Sequence, residues 1–174
     1  GGRWTTAVLA GAFGVSYFWS LADSWAHHYL AFLLLVLAAF VDWHDPRRSQ
    51  WALRLSIMQY AVVYFWAAWT KFQPYWASGF QMMEQIPAPT RQVVMDVALW
   101  LGVDLVTVWK AISWGVVMFE LAMPVALQFR RARPFTSLAG FGFHGFIELQ
   151  GMFIGRFSWF MFCVHVLNMP ASWG

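Results

Sequence analysis

The sequence predicts an all-α membrane bundle of about six transmembrane helices with one further helix lying in the interface. Three observations lead there. Sixty per cent of the 174 residues are hydrophobic and only 11% are charged, more apolar surface than a water-soluble domain of this size can hide. The apolar residues fall in runs of roughly spanning length, separated by short polar or proline-containing breaks. The 13 tryptophans suit the aromatic belts that flank a bilayer better than a cofactor box.

In order along the chain, Trp4 to Leu21 is the first run, and Ala22-Asp23-Ser24 breaks it, with Asp23 or Ser24 as an N-cap. A second run begins at Trp25-Ala26-His27-His28 and ends near Val41. The segment from Asp42 to Gln50 carries Pro46, Arg47 and Arg48 and is a loop. The third run spans Trp51 to Phe72. From Gln73 to Asp104 the pattern is mixed. Ile86-Pro87-Ala88-Pro89 is a breaker there, and Thr90 to Leu101 is an amphipathic helix suited to the interface. The fourth run is Val106 to Phe129, with Pro124 as a kink. After the basic Arg130–Arg133 loop the fifth run covers Phe135 to Met152. Gly151 to Gly155 interrupts it before a last run from Phe157 to Met169. The organisation is a single domain, 1–174, without internal repeats. Because it begins Gly-Gly-Arg without Met, we expect earlier sequence to be missing or processed.

Charge orients the bundle. With six crossings, Arg3, Arg47, Arg48, Arg54 and the Arg130–Arg133 loop share one face, and Lys71, Arg91, Lys110 and Arg156 the other. The excess of positive charge makes the first face cytoplasmic. The formal charge of +3 is too small and too scattered for a nucleic-acid partner. The lone Cys163 sits in an apolar run and makes no intrachain disulfide.

Polar residues inside apolar runs are the informative ones, because each is costly in lipid and turns to the bundle interior or a cavity. Lys71 closes the third run. One reading is a lysine that snorkels to the headgroups along its own stem. The other is a desolvated amine acting as a base. Tyr60, Tyr64 and Lys71, at i, i+4 and i+11, fall close to one helix face. His27 and His28 open the second run on the same side of the membrane. His144 and Glu148, at i and i+4, share a face of the fifth run in the half nearer that side; they form either part of a site or only a helix-to-helix hydrogen bond. Glu120, deeper in the fourth run, is a structural partner, His165 a core residue bonded to backbone, and His44 a loop residue without a role. Metal binding is not expected, since no His-x-x-x-His or Cys-x-x-Cys pairing occurs. No Gly-x-Ser-x-Gly or phosphate-cradling loop is present.

The stretch Tyr64-Phe65, Ala67-Ala68, Lys71, Trp76 and Gly79 resembles the vitamin K-dependent γ-carboxylase family and its bacterial relatives, whose shared unit is called the horizontally transferred transmembrane domain. Members carry a Tyr-Phe, a small pair and a lysine, followed five residues later by Trp and eight later by Gly. Ala26-His27-His28-Tyr29-Leu30 resembles the family's Asn-His-x-Tyr-Leu, and Asp42 stands 15 residues after His27, as the family's acid does after its histidine. Phe143-His144, Gly151-Met152-Phe153 and Phe157-Ser158-Trp159 resemble a third conserved region. Ala26 in place of Asn and Gln73 in place of an Asp are departures, and the large lumenal domain of the animal enzymes has no counterpart in this chain.

The resemblance implies an integral membrane enzyme, in the bacterial inner membrane, that couples oxidation of a reduced naphthoquinone (vitamin K or menaquinol) to carboxylation of glutamate, with O2 and CO2 as co-substrates. It implies Lys71 as the base that starts the chemistry, with His27 and His144 stabilising the quinone oxyanions. Tyr64, Trp76, His28 and Glu148 would then shape the quinone pocket, which faces the non-cytoplasmic side. The partners are the lipid bilayer, a glutamate-containing peptide and other membrane subunits. A reading from another class stays open beside it, that of a non-catalytic accessory subunit holding lipid, quinone or a neighbouring chain. An internal cavity shared by Lys71, His27 and His144 would separate the two.

Overall fold

The computed structural model describes residues 2–19, 26–40, 50–151 and 157–167. They are helical, without strands among the described residues. The helices are α1 (Gly2–Trp19), α2 (Ala26–Ala39), α3 (Gln50–Thr70), α4 (Pro74–Ala77), α5 (Phe80–Gln85), α6 (Ala88–Leu101), α7 (Leu105–Gln128), α8 (Arg133–Leu149) and α9 (Phe157–Leu167). The break expected at Ala22–Ser24, the one at Asp42–Gln50 except Gln50, which opens α3, and the last residues from Asn168 lie outside the described residues. Two compact units emerge, 1–60 and 61–174, dividing within α3.

In the first unit α1 packs on α2. Ala10 and Leu30 are buried there, and Phe13 meets the His28 ring edge-on at 6.4 Å.

The second unit is built on α7. Its buried residues, Trp109, Ser113, Val117, Glu120, Met123 and Leu127, recur every three or four positions and so form one stripe. Asp104 caps the helix, accepting the Thr107 N–H at 2.9 Å. Pro124 lies inside the helix and lacks an N–H to donate. The short helices α4 and α5 fold back on the first half of α7. Trp76, Met82, Ile86, Trp109 and Val117 form one apolar cluster, and the Trp76 indole N–H donates to the Ser113 carbonyl at 3.4 Å. The turn between α4 and α5 needs Gly79. Its φ is +89°, and a Cβ there would stand 2.6 Å from the Trp109 backbone carbon.

The buried face of α8 is small and polar, comprising Pro134, Thr136, Ser137, Gly140 and His144. α9 buries Ser158 and His165 together with Met161 and Val164. Large apolar residues instead cover the outside, among them Phe135 at 70%, Trp159 at 63% and Met118 at 60% exposure. The second unit thus exposes large apolar side chains while burying several polar ones beside its apolar core.

Among the described residues, α7 is the one helix both long and apolar enough to cross a membrane. His28–Ala39 and Phe157–Val166 are apolar but shorter. At 1.5 Å per residue, the 14 residues of α2 and the 11 of α9 reach about 21 and about 16 Å, short of a hydrocarbon core of about 30 Å. Of the six spans expected, one among the described residues, α7, has the length and composition to cross a membrane.

Candidate functional site

Lys71 follows the last residue of α3, in a turn closed by its own N–H on the Ala68 carbonyl at 3.0 Å. The side chain does not reach outward. Nζ donates to the Ala67 carbonyl at 2.9 Å and to Glu120 Oε1 at 2.9 Å, with Glu120 Oε2 at 2.8 Å. The side chains are 18% and 7% exposed, so this is an inward ion pair rather than a snorkelling lysine. The Trp76 ring centroid lies 5.1 Å from Nζ, within cation–π range. Glu120 reaches this position because it stands on the buried stripe of α7.

Lys71, Glu120 and Trp76 line a cavity of about 720 Å3. His144 lines it from α8, and Met82, Ile86, Val116 and Phe143 supply apolar wall. All of these residues belong to the second unit. Thr70, Gln73, Gln81, Gln85 and Thr90 add polar groups to the wall, and a pocket of this size with mixed lining is a common form of small-molecule site.

His144 is buried. Its Nε2 lies 3.0 Å from the Tyr64 hydroxyl oxygen, and its Nδ1 is buried with no hydrogen-bond partner. The same hydroxyl lies 3.2 Å from Nε2 of His165, which is also buried. Tyr64 therefore joins a histidine of α8 to one of α9. Gly140, one turn before His144, makes room for this: a Cβ there would fall 2.0 Å from both Cε1 and Nε2 of His165.

The other sequence candidates are placed differently. Glu148 lies outside the cavity lining, one turn beyond His144. His28 packs on Phe13 in the first unit. The His27 side chain lies outside the described residues, although its backbone belongs to α2. Among the described residues there is no group of three or more His, Cys, Asp or Glu able to hold a metal ion.

Sequence reasoning read Glu120 as a structural partner and His165 as a core residue bonded to backbone; His165 is buried but meets the Tyr64 side chain. The pairing of Glu120 with Lys71 is foreshadowed by its place on the α7 stripe. A signal for His165 exists in the small, polar spacing of Ser137, Gly140 and His144, a face able to admit a ring from the next helix.

A family model described as HTTM domain matches residues 3–173, nearly the whole chain. The chain belongs to the HTTM domain family. HTTM domains are membrane-associated and are found in the vitamin K-dependent carboxylase family. No curated protein and no solved structure matches this HTTM domain.

Proposed function

We propose that the cavity is the catalytic centre of an integral membrane enzyme that couples oxidation of a reduced naphthoquinone to carboxylation of a glutamate side chain, with O2 and CO2 as co-substrates. The observation that carries this reading is the placement of an amine, a carboxylate and an imidazole on one apolar-walled cavity: Lys71, Glu120 and His144. The donor set fits the ligand. A volume of about 720 Å3 lies within the usual range for a pocket that encloses a drug-sized molecule, and Lys71, Glu120 and His144 bring polar groups to its wall.

Bound there, a reduced naphthoquinone supplies the electrons for oxygen and a base stronger than any side chain. The chain's own residues prepare it. Once one proton has passed from Lys71 to Glu120, the neutral amine donates a remaining N–H to the acid's carbonyl oxygen, and with the acid's O–H turned away its lone pair is free to take an acidic hydroxyl proton. Trp76 flanks the amine. The His144 ring, on the cavity wall, is the imidazole that would stabilise a quinone oxygen.

In this reading α1, α2, α3, α7, α8 and α9 cross the bacterial inner membrane, and the site faces the non-cytoplasmic side. α6 lies in the interface, a place supported by its exposed Val93, Val97 and Trp100. The acceptor is a glutamate-containing peptide.

The test supplies purified protein with menaquinol, oxygen, labelled bicarbonate and a simple glutamate peptide. Quinone epoxide and labelled peptide are the expected products. Lys71→Ala is expected to lower epoxide formation at least ~10²-fold, the lower range for loss of a general base. Full epoxidation by a folded Lys71→Ala protein would remove Lys71 from the role. No epoxide from folded wild-type protein would favour the accessory-subunit reading.

A further inference from the structure

We propose that Gln73, Gln81 and Gln85 form a subsite for the main chain of the acceptor, so that the cavity takes a glutamate built into a peptide in preference to the free amino acid. The inference deepens the proposed function and rests on it for the identity of the acceptor residue. All three side chains line the cavity, and they come from a short stretch of chain directly after Lys71. Gln73 and Gln85 are exposed and Gln81 is half-buried, so a ligand in the cavity can reach them. Among the described residues, none of the three carboxamides has a hydrogen-bond partner.

The local fold brings neutral groups to the cavity and sends charge elsewhere. Gln81 and Gln85 stand at i and i+4 of α5, neighbours on one helix face, and Met82 and Ile86 line the cavity beside them. Glu84 of the same helix is exposed, accepts a hydrogen bond from the Tyr75 hydroxyl and is absent from the cavity wall. Gln73 occupies the N-cap of α4. Its backbone carbonyl accepts the Ala77 N–H at 2.9 Å, yet its side chain makes no capping bond. That carboxamide is left for the cavity it lines.

A carboxamide carries an N–H donor and a carbonyl acceptor side by side. A peptide unit offers the same two groups, so the two amides pair edge to edge. A carboxylate has acceptors only and would leave the glutamine carbonyl oxygens unpaired. A free amino acid brings an ammonium and a carboxylate on its α-carbon, and each is costly to strip of water unless a countercharge replaces it. The lysine and the glutamate on the cavity wall, Lys71 and Glu120, are already spent on one another. Joining the α-amine and α-carboxyl into peptide units removes both charges and supplies the groups that the glutamines pair with.

The test titrates three probes by calorimetry into the purified protein in lipid nanodiscs: N-acetylglutamate α-N-methylamide, its α-methyl ester, and free glutamate. The diamide is expected to bind most tightly. The ester lacks one N–H and is expected to bind about 3- to 10-fold more weakly, the range of one neutral hydrogen bond. Free glutamate is expected to bind at least ~10-fold more weakly, since its α-charges go uncompensated. Gln73→Met, Gln81→Met and Gln85→Met keep the side-chain length without the amide. At least one of them is expected to bring diamide and ester to equal affinity. Free glutamate binding as tightly as the diamide, equal diamide and ester affinities in the wild type, or a diamide preference kept by all three folded variants would overturn the subsite. So would a folded wild-type protein that binds none of the probes. Epoxide formation from menaquinol scores the proposed reaction separately. Amide-selective binding by a protein that forms no epoxide would support the subsite and refute that reaction, while epoxide formed by a protein blind to all three probes would keep the quinol chemistry and remove the subsite.

Discussion

At the scale of single residues, the pair Lys71–Glu120 has the clearest energetic consequence. Both side chains are largely withdrawn from solvent, so deleting one leaves a buried charge without its partner. Lys71→Met or Glu120→Leu is expected to lower stability by about 3 kcal/mol, while the double substitution recovers much of the loss, since an apolar pair of similar volume often replaces a buried ion pair at no net cost. Thermal unfolding of the four proteins in one detergent checks this. The meeting of Lys71 and His144 at one cavity is legible from the sequence, because helix counting brings both to one depth. The inward turn of Lys71 is not. Its stem is long enough for either direction, and the choice depends on Glu120, 49 residues away. The shared hydroxyl between His144 and His165 is equally hidden, since Tyr64 lies 80 and 101 residues from them.

At the scale of elements, Gly79 and Asp104 govern how the short helices meet α7. Gly79→Ala combines a positive φ with overlap against the Trp109 backbone and is expected to cost about 1–3 kcal/mol, read by thermal unfolding in the same detergent. Asp104 is tied to Thr107, and the hydrogen bonds from that residue hold its carboxyl below the usual carboxylate range. A depressed carboxyl contributes stability that is fully present above its unfolded pKa of about 3.9. That stability fades as pH falls through the lower folded value. Amide exchange in the first turn of α7 is therefore expected to quicken, relative to Asp104→Asn, as the medium is brought from pH 5 to below ~4. α3, α6, α7 and α8 lie within a few residues of the boundaries their apolar patterns predict. α4 and α5 escape such reading, because Pro74, Gly79 and the Ile86-Pro87 step look like breakers. Here the proline begins a helix and the glycine turns between two.

At the scale of the whole molecule, large apolar side chains are exposed while several polar ones are buried. Exposed aromatic and aliphatic groups surround Ser113, Glu120, Ser137, His144, Ser158 and His165. Composition announces this, but span number is harder to read, since short apolar helices such as α2 and α9 lack the length that makes a crossing certain. Topology labelling resolves it. In a Cys163→Ser background, Arg131→Cys is expected to react with a membrane-impermeant maleimide only from the cytoplasmic side, and Gln92→Cys only from the other. Reaction of both from one side would reverse or reduce the proposed crossings.

The inward ion pair also makes Glu120 a tethered competitor. Any anionic ligand that seeks the Lys71 ammonium must displace a carboxylate already held against it at high effective concentration, with no translational entropy left to lose. The cavity thereby discriminates against casual anions such as lipid phosphates or free acids, and admits ligands that bring apolar contact as well as charge. Glu120→Gln is expected to relax this filter, so that small carboxylates protect the mutant against thermal unfolding and leave the wild type unaffected. Equal protection of both proteins would show that the carboxylate does not guard the amine.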